Sequence, residues 1–451
     1  MSEPARLEPW LPRAAALRPE HPALIADGEA VTYGELHARA LQAAAWLQAK
    51  GIEGGERVAL ALPAGVPFAV ALHAILLQGA AAIPIDPRLG PEERAKRTRT
   101  ASLVVDEPIA SDGAAAELPP RWAASMVATV IHTSGTTADP KPVELTAGNW
   151  VANALGSALA LGLDPADRWL CTLPLSHVGG LSILIRSAIY GTTVVLHERF
   201  DAERARETIE RDAITLISLV PTTLERLLDA GLDAPHELRV ALVGGGPLPP
   251  ALAARAKAAG LPVAQTYGMT EACSQVATSL PGEPETAGRP LFGTEVRIAG
   301  APRASAGEPV VGEILVKGPT VAPGAADRDG WLHTGDLGAI DERGRLTVTG
   351  RKADTIVSGG ENVAPAEVEA VLLRHPAVAD AAVHGRPDPT WGEAVVATVV
   401  ARDGDRPDEA DLRAHVAAAL APFKVPKHIA FADALPRTAS GKLIRRELSA
   451  G

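Results

Sequence analysis

The sequence predicts an α/β protein with a large N-terminal domain and a small, mobile α+β C-terminal domain. Short apolar runs alternate with helically spaced apolar residues through the first part of the chain, strands dominate from about residue 290, and a separate helix and strand pattern follows residue 351. A chain of 451 residues is also too long for one ordinary hydrophobic core. We therefore expect a large N-terminal α/β domain at 1–350 with βαβ layers and a β-rich subdomain, a hinge at 351–354 and a C-terminal domain at 355–451.

The composition is that of a soluble globular enzyme. Apolar residues make up 47% and charged residues 22%, and 43 Lys and Arg stand against 54 Asp and Glu, a net charge of -11. This acidic balance argues against a protein that binds nucleic acid or anionic membranes. Any phosphate-bearing ligand must be held by locally placed cations and backbone donors.

The sequence also predicts a cytoplasmic location. Only two cysteines are present, and the first residues lack the signal-peptide pattern of cations followed by an apolar block. The most apolar long stretch, 68–85, is interrupted by polar residues and proline, so a buried helix and strand explain it better than a membrane span. The sequence fixes no oligomeric state, and a homo-oligomer is among the states it allows.

The first hundred residues show a βαβ pattern, which implies parallel strand pairing. The predicted elements are a helix that opens at 32–36 and ends at Gly51, a strand at 57–62, a helix at 66–78 and a strand at 81–85.

The middle of the chain continues this alternation. Predicted strands lie at 126–131, 169–173, 193–196, 213–220 and 238–243, and a helix at 249–259. The last of these strands runs into Gly244, Gly245 and Gly246, which suits either a ligand crevice at the carboxyl end of a sheet or a plain tight turn.

From about residue 290 the pattern predicts strands at 294–298, 313–317 and 346–349, with 331–336 on a connection between them. The last hundred residues carry their own helices and strands, enough for a small domain. They are a helix at 365–374, strands at 378–383 and 393–400, and a helix at 409–420.

One polar loop has the composition of a polyphosphate cradle. Four hydroxyls, a glycine and a lysine follow the strand at 126–131, namely Thr133, Ser134, Gly135, Thr136, Thr137 and Lys141. Glycine lets the backbone approach phosphate, and hydroxyl and N–H groups donate to its oxygens. The loop is not a Walker A motif, because no lysine follows a correctly spaced glycine pair, and on composition alone an ordinary polar turn explains it equally well.

Four further segments, in order along the chain, make the sequence resemble the adenylate-forming superfamily of acyl-CoA synthetases, nonribosomal adenylation domains and luciferase. Besides the loop, they are 265–271 (QTYGMTE), 334–336 (TGD), 350–351 (GR) and 436–442 (PRTASGK). The resemblance implies an AMP-forming acid–thiol ligase that uses ATP, Mg²⁺ and coenzyme A. It first forms an acyl-adenylate with release of pyrophosphate and then transfers the acyl group to the thiol.

The resemblance also implies roles for individual residues. The loop residues hold the β- and γ-phosphates, and Thr270 reaches the α-phosphate. Adenine is surrounded by Gln265, Thr266, Tyr267 and Gly268 together with the three glycines, and ribose is contacted by Asp336 and Arg351. Mg²⁺ is held by Glu271 and Thr136, and Lys442 neutralises charge in adenylation. Read singly, Glu271 would be a surface or N-cap carboxylate, Asp336 and Arg351 solvated loop charges, and Lys442 an exposed lysine opening a basic helix at 442–446.

For the second step, the family rotates its small domain. The segment 359–362 (GGEN) resembles the loop presented in that arrangement, and we expect the hinge at 352–354. Ala353 stands where the family usually has a charged residue. Two other departures, Ala138 and Pro142 in place of glycines, restrict the backbone of the phosphate loop and predict a stiffer loop.

The stretch 173–187 (LPLSHVGGLSILIRS) is similar to the o-succinylbenzoate–CoA ligases of menaquinone biosynthesis. It implies an aromatic carboxylate substrate, with His177 as a wall or gate of the pocket and as part of the catalytic set. Arg186 is a candidate for the second carboxylate, and Ser274 and Gln275 are further polar candidates. Another aryl- or medium-chain acyl-CoA ligase, an enzyme that loads a carrier-protein thiol and a nucleotide-binding pseudoenzyme are the alternatives.

Overall fold

The first 146 residues alternate strands and helices as the βαβ pattern predicts. The computed structural model describes residues 5–110, 116, 121–133, 140–300, 310–402, 407–437 and 443–448, without the side chains of Asn362 and Arg446. The elements of this part are β1 (Arg6–Leu7), α1 (Trp10–Leu17), β2 (Pro22–Ala26), β3 (Glu29–Thr32), α2 (Tyr33–Ala49), β4 (Arg57–Leu60), α3 (Val66–Leu77), β5 (Ala81–Pro84), α4 (Pro91–Thr98), β6 (Leu103–Val105), β7 (Trp122–Ala123), β8 (Val127–Thr133) and β9 (Lys141–Thr146).

Five of these strands form a sheet that ends at the phosphate loop. Its order is β6-β4-β5-β8-β9, parallel except for the last pair. The predicted start of α2 is confirmed by a capping box, in which Thr32 and Glu35 each accept a hydrogen bond from the other's backbone N–H. The same sheet carries Pro142 on its edge strand β9, where a missing N–H is tolerated.

The middle of the chain builds a nine-stranded sheet in the order β16-β15-β14-β13-β12-β10-β11-β2-β3. Strands β2 and β10–β14 are parallel, and every residue of β11, β12 and β13 is buried, as expected for a sheet covered on both faces. The elements are α5 (Ala147–Leu161), β10 (Arg168–Cys171), α6 (Val178–Tyr190), β11 (Thr193–Leu196), α7 (Ala202–Arg211), β12 (Leu216–Leu219), α8 (Pro221–Asp229), β13 (Val240–Val243), α9 (Pro250–Ala258), β14 (Val263–Met269), β15 (Ser274–Thr278) and β16 (Arg289–Pro290).

The β-rich part is an antiparallel sheet of four strands, and it corrects one prediction. Its strands are β17 (Glu295–Ile298), β18 (Gly312–Lys317), β19 (Leu332–Ile340) and β20 (Leu346–Arg351). The segment 331–336 is therefore not a connection, because nearly all of it lies in β19. Strand β19 hydrogen-bonds to β18 on one side and β20 on the other, and this pairing overrides the polar composition of the segment.

The last part of the chain has a hydrophobic core of its own, formed by valine, leucine, isoleucine and alanine side chains. Its elements are β21 (Ile356–Ser358), β22 (Glu361–Val363), α10 (Pro365–Leu372), β23 (Val378–Asp388), β24 (Gly392–Ala401), α11 (Glu409–Ala419), β25 (His428–Phe431) and α12 (Arg445–Leu448). A short 3₁₀ turn at Lys352–Asp354 precedes it where the hinge is predicted. The hinge itself stays a prediction.

None of the helices in the described ranges has both the length and the apolar character that a membrane crossing requires.

Candidate active site

The two ends of the predicted phosphate loop meet at the carboxyl end of β8. Thr133 pairs with Lys141 in the β8–β9 ladder, and its hydroxyl donates to the Lys141 carbonyl at 3.4 Å. The loop is thus the connection of a hairpin, and the exposed Lys141 lies at its base. Ser134, Gly135, Thr136, Thr137 and Ala138 lie outside the described residues, as does Lys442.

The predicted ribose pair comes together in the antiparallel sheet. Asp336 and Arg351 are direct partners in the β19–β20 ladder, and Arg351 Nε lies 3.0 Å from Asp336 Oδ1. The hydroxyl of Tyr267 donates to the other carboxylate oxygen, Oδ2, at 2.8 Å. Asp336 is buried, and these two contacts hold both of its carboxylate oxygens in place.

Tyr267 is therefore more than a flat surface. It lies inside β14, not after a strand, and its ring is buried in the core of the β-rich part. Burial, with the nearby Asp336 carboxylate, raises the pKa of Tyr267, so its hydroxyl stays protonated and remains a donor to Asp336.

Two glycines of the predicted adenine region stand where no side chain fits. A Cβ on Gly268 would lie 1.8 Å from the Ser274 carbonyl oxygen, and one on Gly244 would lie 2.7 Å from Thr266 Cγ2. Gly245, with φ of +78°, turns the chain after β13. The approach at Gly244 brings the end of β13 against β14, and the approach at Gly268 brings β14 against β15, at the carboxyl edge of the large sheet, where α/β proteins bind ligands.

The remaining residues of the adenine segment are fixed by hydrogen bonds between side chains and backbone. Gln265 N–H donates to Ser279 Oγ at 2.9 Å, and Thr266 Oγ1 donates to the Ala277 carbonyl at 2.9 Å. Gly246 follows Gly245 beside Pro221, at the start of α8. The segment is thus a rigid edge of the crevice.

Thr270 and Glu271 form a short 3₁₀ turn directly after β14. The Glu271 carboxylate is partly buried and makes no hydrogen bond or ion pair with any described residue. Mg²⁺ prefers oxygen ligands and is usually bound through one or two carboxylates together with substrate phosphates. A carboxylate at this edge that has no partner in the described part of the chain fits that requirement.

His177 lies at the N-cap of α6, after β10. The residue is exposed to solvent. Partial desolvation of the imidazole by the surrounding protein lowers the pKa of His177 below its usual value, with Asp86 acting in the opposite direction and Arg97 and Arg88 adding to the decrease. The lowered pKa favours the neutral ring, which can serve as a wall for an apolar acyl group.

We expect the imidazole of His177 to titrate below pH 6.5, and Asp86→Asn to lower that pKa further, because the variant removes a nearby negative charge that favours the cation. Ring NMR across pH 4–8, with His177→Gln assigning the resonance, measures it. Asp229→Asn, at the exposed end of α8, serves as the control and leaves the pKa unchanged. A His177 pKa of 6.5 or above, or a rise in Asp86→Asn, would contradict this electrostatic picture.

Arg186 is the most unusual residue near the crevice. Its side chain lies in the middle of α6 and is only 1% exposed, yet no carboxylate of the described residues lies within ion-pair distance. Nε donates to Asn153 Oδ1 at 3.1 Å, and Nη2 donates to the same oxygen. Burial lowers the pKa of Arg186, whereas Tyr190 and Cys273 act to raise it. Its guanidinium carbon also lies 5.9 Å from the centre of the Trp169 ring. A buried cation that contacts only an amide oxygen and an aromatic ring among the described residues is costly, and an anionic ligand would relieve that cost.

Asn153 joins Arg186 to the predicted substrate segment. Its Nδ2 donates to the Gln275 carbonyl at 3.2 Å, so Arg186, Asn153 and Gln275 form one polar chain. Gln275 is buried and its Oε1 has no hydrogen-bond partner among the described residues, while Ser274 takes a left-handed backbone with φ of +88°. Asn153 was not predicted as a site residue, although an asparagine within the apolar run that forms α5 is a signal visible in the sequence.

Two family models match the chain along most of its length. The model described as AMP-binding enzyme matches residues 11–105 and 98–325, and the model of the AMP-binding enzyme C-terminal domain matches residues 367–442. The chain belongs to the AMP-binding enzyme family. This confirms the predicted superfamily and its combination of a large N-terminal and a small C-terminal domain.

Curated relatives of this AMP-binding enzyme are similar over their full length. The 2-succinylbenzoate–CoA ligase of Bacillus licheniformis is 41% identical, covering 97% of this chain and 98% of the relative. The 2-succinylbenzoate–CoA ligase of Geobacillus kaustophilus is also 41% identical, covering 97% of this chain and 96% of the relative.

Solved structures agree in fold. The o-succinylbenzoate CoA synthetase of Bacillus subtilis in complex with the acyl-adenylate intermediate OSB-AMP matches with a TM-score of 0.90 at 38% identity, covering 98% of each chain. The same synthetase with ATP and magnesium gives 0.89 at 37% identity, covering 98% of this chain and all of the other. ATP-bound MatB from Rhodopseudomonas palustris gives 0.89 at 27% identity, covering 98% of this chain and 99% of MatB.

Proposed function

We propose that this enzyme is an ATP-dependent, AMP-forming ligase that activates o-succinylbenzoate and transfers it to coenzyme A, as a step of menaquinone biosynthesis. The full-length relatives at 41% identity support the activity and the substrate. The structural observation that carries the choice of acid is the buried guanidinium of Arg186, which has no carboxylate partner among the described residues.

The chemistry of the acid fits this environment. o-Succinylbenzoate carries two carboxylates on an aromatic framework. One of them reacts, and the other is a spectator that needs a cation inside an otherwise apolar pocket. Arg186 supplies the cation, Asn153 holds its guanidinium, and the neutral ring of His177 forms part of the wall. Ser274 and Gln275 add polar groups from the other side of Asn153.

The first half-reaction joins two anions, the reacting carboxylate and the α-phosphate of ATP, so charge neutralisation is the main requirement. Lys141 and the loop hydroxyls bind the departing pyrophosphate, Thr270 reaches the α-phosphate, and Lys442 neutralises charge there. Asp336 accepts from the ribose hydroxyls, with its orientation fixed by Tyr267 and Arg351. Mg²⁺ held by Glu271 and Thr136 supplies further positive charge to the phosphates when it is bound.

The second half-reaction requires a different arrangement of the two domains about the hinge at 351–354. Support comes from a comparison within one relative. The Bacillus subtilis synthetase matches this chain with a TM-score of 0.90 in its OSB-AMP complex, but a double mutant bound with the product analogue OSB-NCoA gives only 0.73 at the same 38% identity. The described chain is thus more similar to the adenylate complex of this relative than to its product-analogue complex, which supports the existence of two arrangements. The turn at Gly359 and Gly360, where both φ angles are positive, joins β21 to β22 and is the segment presented to the thiol.

The substrates of this reaction are small molecules, and the free, buried cysteines fit the reducing cytoplasm that we propose as its location. The acidic net charge of -11 argues against nucleic acid as a further partner.

A substrate panel tests the proposal. With ATP, Mg²⁺ and coenzyme A, we expect kcat/KM for o-succinylbenzoate to exceed the values for benzoate and octanoate by about a hundredfold or more, because a buried cation left unpaired penalises acids without a second carboxylate. Equal values for the three acids would reject the proposed substrate while leaving the ligase activity in place.

A further inference from the structure

Arg445, the first residue of α12, lies only three positions after Lys442 and is tied to three separate elements. Its Nη2 donates to Glu369 Oε1 on α10 at 2.6 Å, its Nε donates to the Val383 carbonyl on β23 at 3.2 Å, and its Nη1 donates to Asp354 Oδ2 at 3.3 Å. Asp354 is the last residue of the 3₁₀ turn in the predicted hinge.

The chain on both sides of 438–442 is held at one place on β23. Arg437 and Leu443 form an antiparallel bridge, and Ile444 N–H donates to the Pro436 carbonyl at 2.9 Å. On the entering side, Arg437 Nη2 donates to Asp380 Oδ2 at 2.7 Å, and Asp380 belongs to β23. On the leaving side, Arg445 binds the same strand at Val383. Arg437 and Arg445, which lie on either side of 438–442, are thus both held on the same strand.

The ion pair between Arg445 and Glu369 is short and involves a buried carboxylate. Glu369 is 9% exposed, and its Oε1 also accepts from the Val383 N–H at 2.8 Å. Burial raises the pKa of Glu369, and the guanidinium of Arg445 opposes this. A buried carboxylate of this kind needs its cation, and only the planar fork of arginine reaches Glu369, Val383 and Asp354 together.

We propose that Arg445 is a positioning residue for adenylation, which holds the chain that follows Lys442, at 443–445, against α10 and β23 and links it to the predicted hinge through Asp354. The role rests on the proposed function and on Lys442 as the lysine of the first half-reaction. Lys442 carries charge to the α-phosphate across the domain boundary, so a small displacement of its segment lowers that rate, since misplacement by about 1 Å costs about 10²-fold. Thiol capture of an adenylate already formed does not use Lys442 and does not depend on this placement.

Two variants test the proposal without leaving Glu369 unpaired. Arg445→Lys keeps a cation beside Glu369 but cannot bind three acceptors, and Asp354→Asn removes only the negative charge at the hinge. We expect Arg445→Lys to lower the ATP–pyrophosphate exchange rate by about 10- to 100-fold and Asp354→Asn by a smaller factor. Thioester formation from synthetic acyl-adenylate should stay within about threefold of the unmodified enzyme for both.

Arg413→Lys, on the exposed face of α11, is the matched control and should change neither half-reaction. Thermal unfolding of each variant shows whether the small domain remains folded. Unchanged exchange in Arg445→Lys, or an equal loss in both half-reactions at an unchanged melting temperature, would overturn the positioning role. If the unmodified enzyme activates a different acid, the same split measured with that acid still tests Arg445, so the two proposals fail separately.

Discussion

Replacing Lys442 with alanine is expected to lower the rate of adenylate formation by about 10²- to 10³-fold, the usual cost of losing one group that stabilises developing charge in a transition state. Thioester formation from preformed acyl-adenylate should change by less than about threefold, because that step has no α-phosphate displacement to stabilise. Pyrophosphate exchange measures the first half-reaction, and single-turnover reaction of synthetic adenylate with coenzyme A measures the second.

Lys257→Ala, on the exposed surface of α9, is the control for simple loss of a positive charge and should leave both rates unchanged. The alternation between two domain arrangements requires the two half-reactions to separate in Lys442→Ala. If both rates fell by the same factor, Lys442 would not be specific to adenylation.

Arg186→Met is expected to lower kcat/KM for o-succinylbenzoate by about a hundredfold, on the order of 3 kcal/mol, as is typical when one partner of a buried charged pair is removed. The value for benzoate should change by less than about threefold, because benzoate has no second carboxylate.

Arg186→Lys separates charge from geometry. Lysine keeps the cation but cannot donate in the same way to both Asn153 and a carboxylate, so an intermediate loss is expected. A parallel loss with o-succinylbenzoate and benzoate would mean that Arg186 supports the fold of α6 and does not recognise the spectator carboxylate.

The fold was largely predictable because its strands are local apolar runs bounded by glycine and proline. The run at 193–196, for example, is observed as β11 with the same bounds. Residues 331–336 were misread as a connection because His333, Thr334, Gly335 and Asp336 lack the alternation of a strand. Their strand structure comes from pairing with β18 and β20, which no local pattern records.

The candidate site was only partly predictable. The motif resemblance assigned Asp336 and Arg351 to ribose, which stays a prediction, and the structure places the two side by side because they are partners in the β19–β20 ladder. The hydrogen bond from Tyr267 to Asp336 joins residues 69 positions apart, and the bond from Arg186 to Asn153 joins residues 33 apart. Such contacts depend on how β14 meets β19 and how α5 packs on α6, and a single sequence carries no record of that packing.

The proposed function depends most on a two-step reaction through an acyl-adenylate of o-succinylbenzoate. Mass spectrometry of the enzyme with ATP, Mg²⁺ and o-succinylbenzoate, before and after addition of coenzyme A, tests it directly. We predict an enzyme-bound adenylate and pyrophosphate before the addition, and afterwards one AMP for each o-succinylbenzoyl-CoA formed. Release of ADP and phosphate, or an adenylate that persists when coenzyme A is added, would contradict the account.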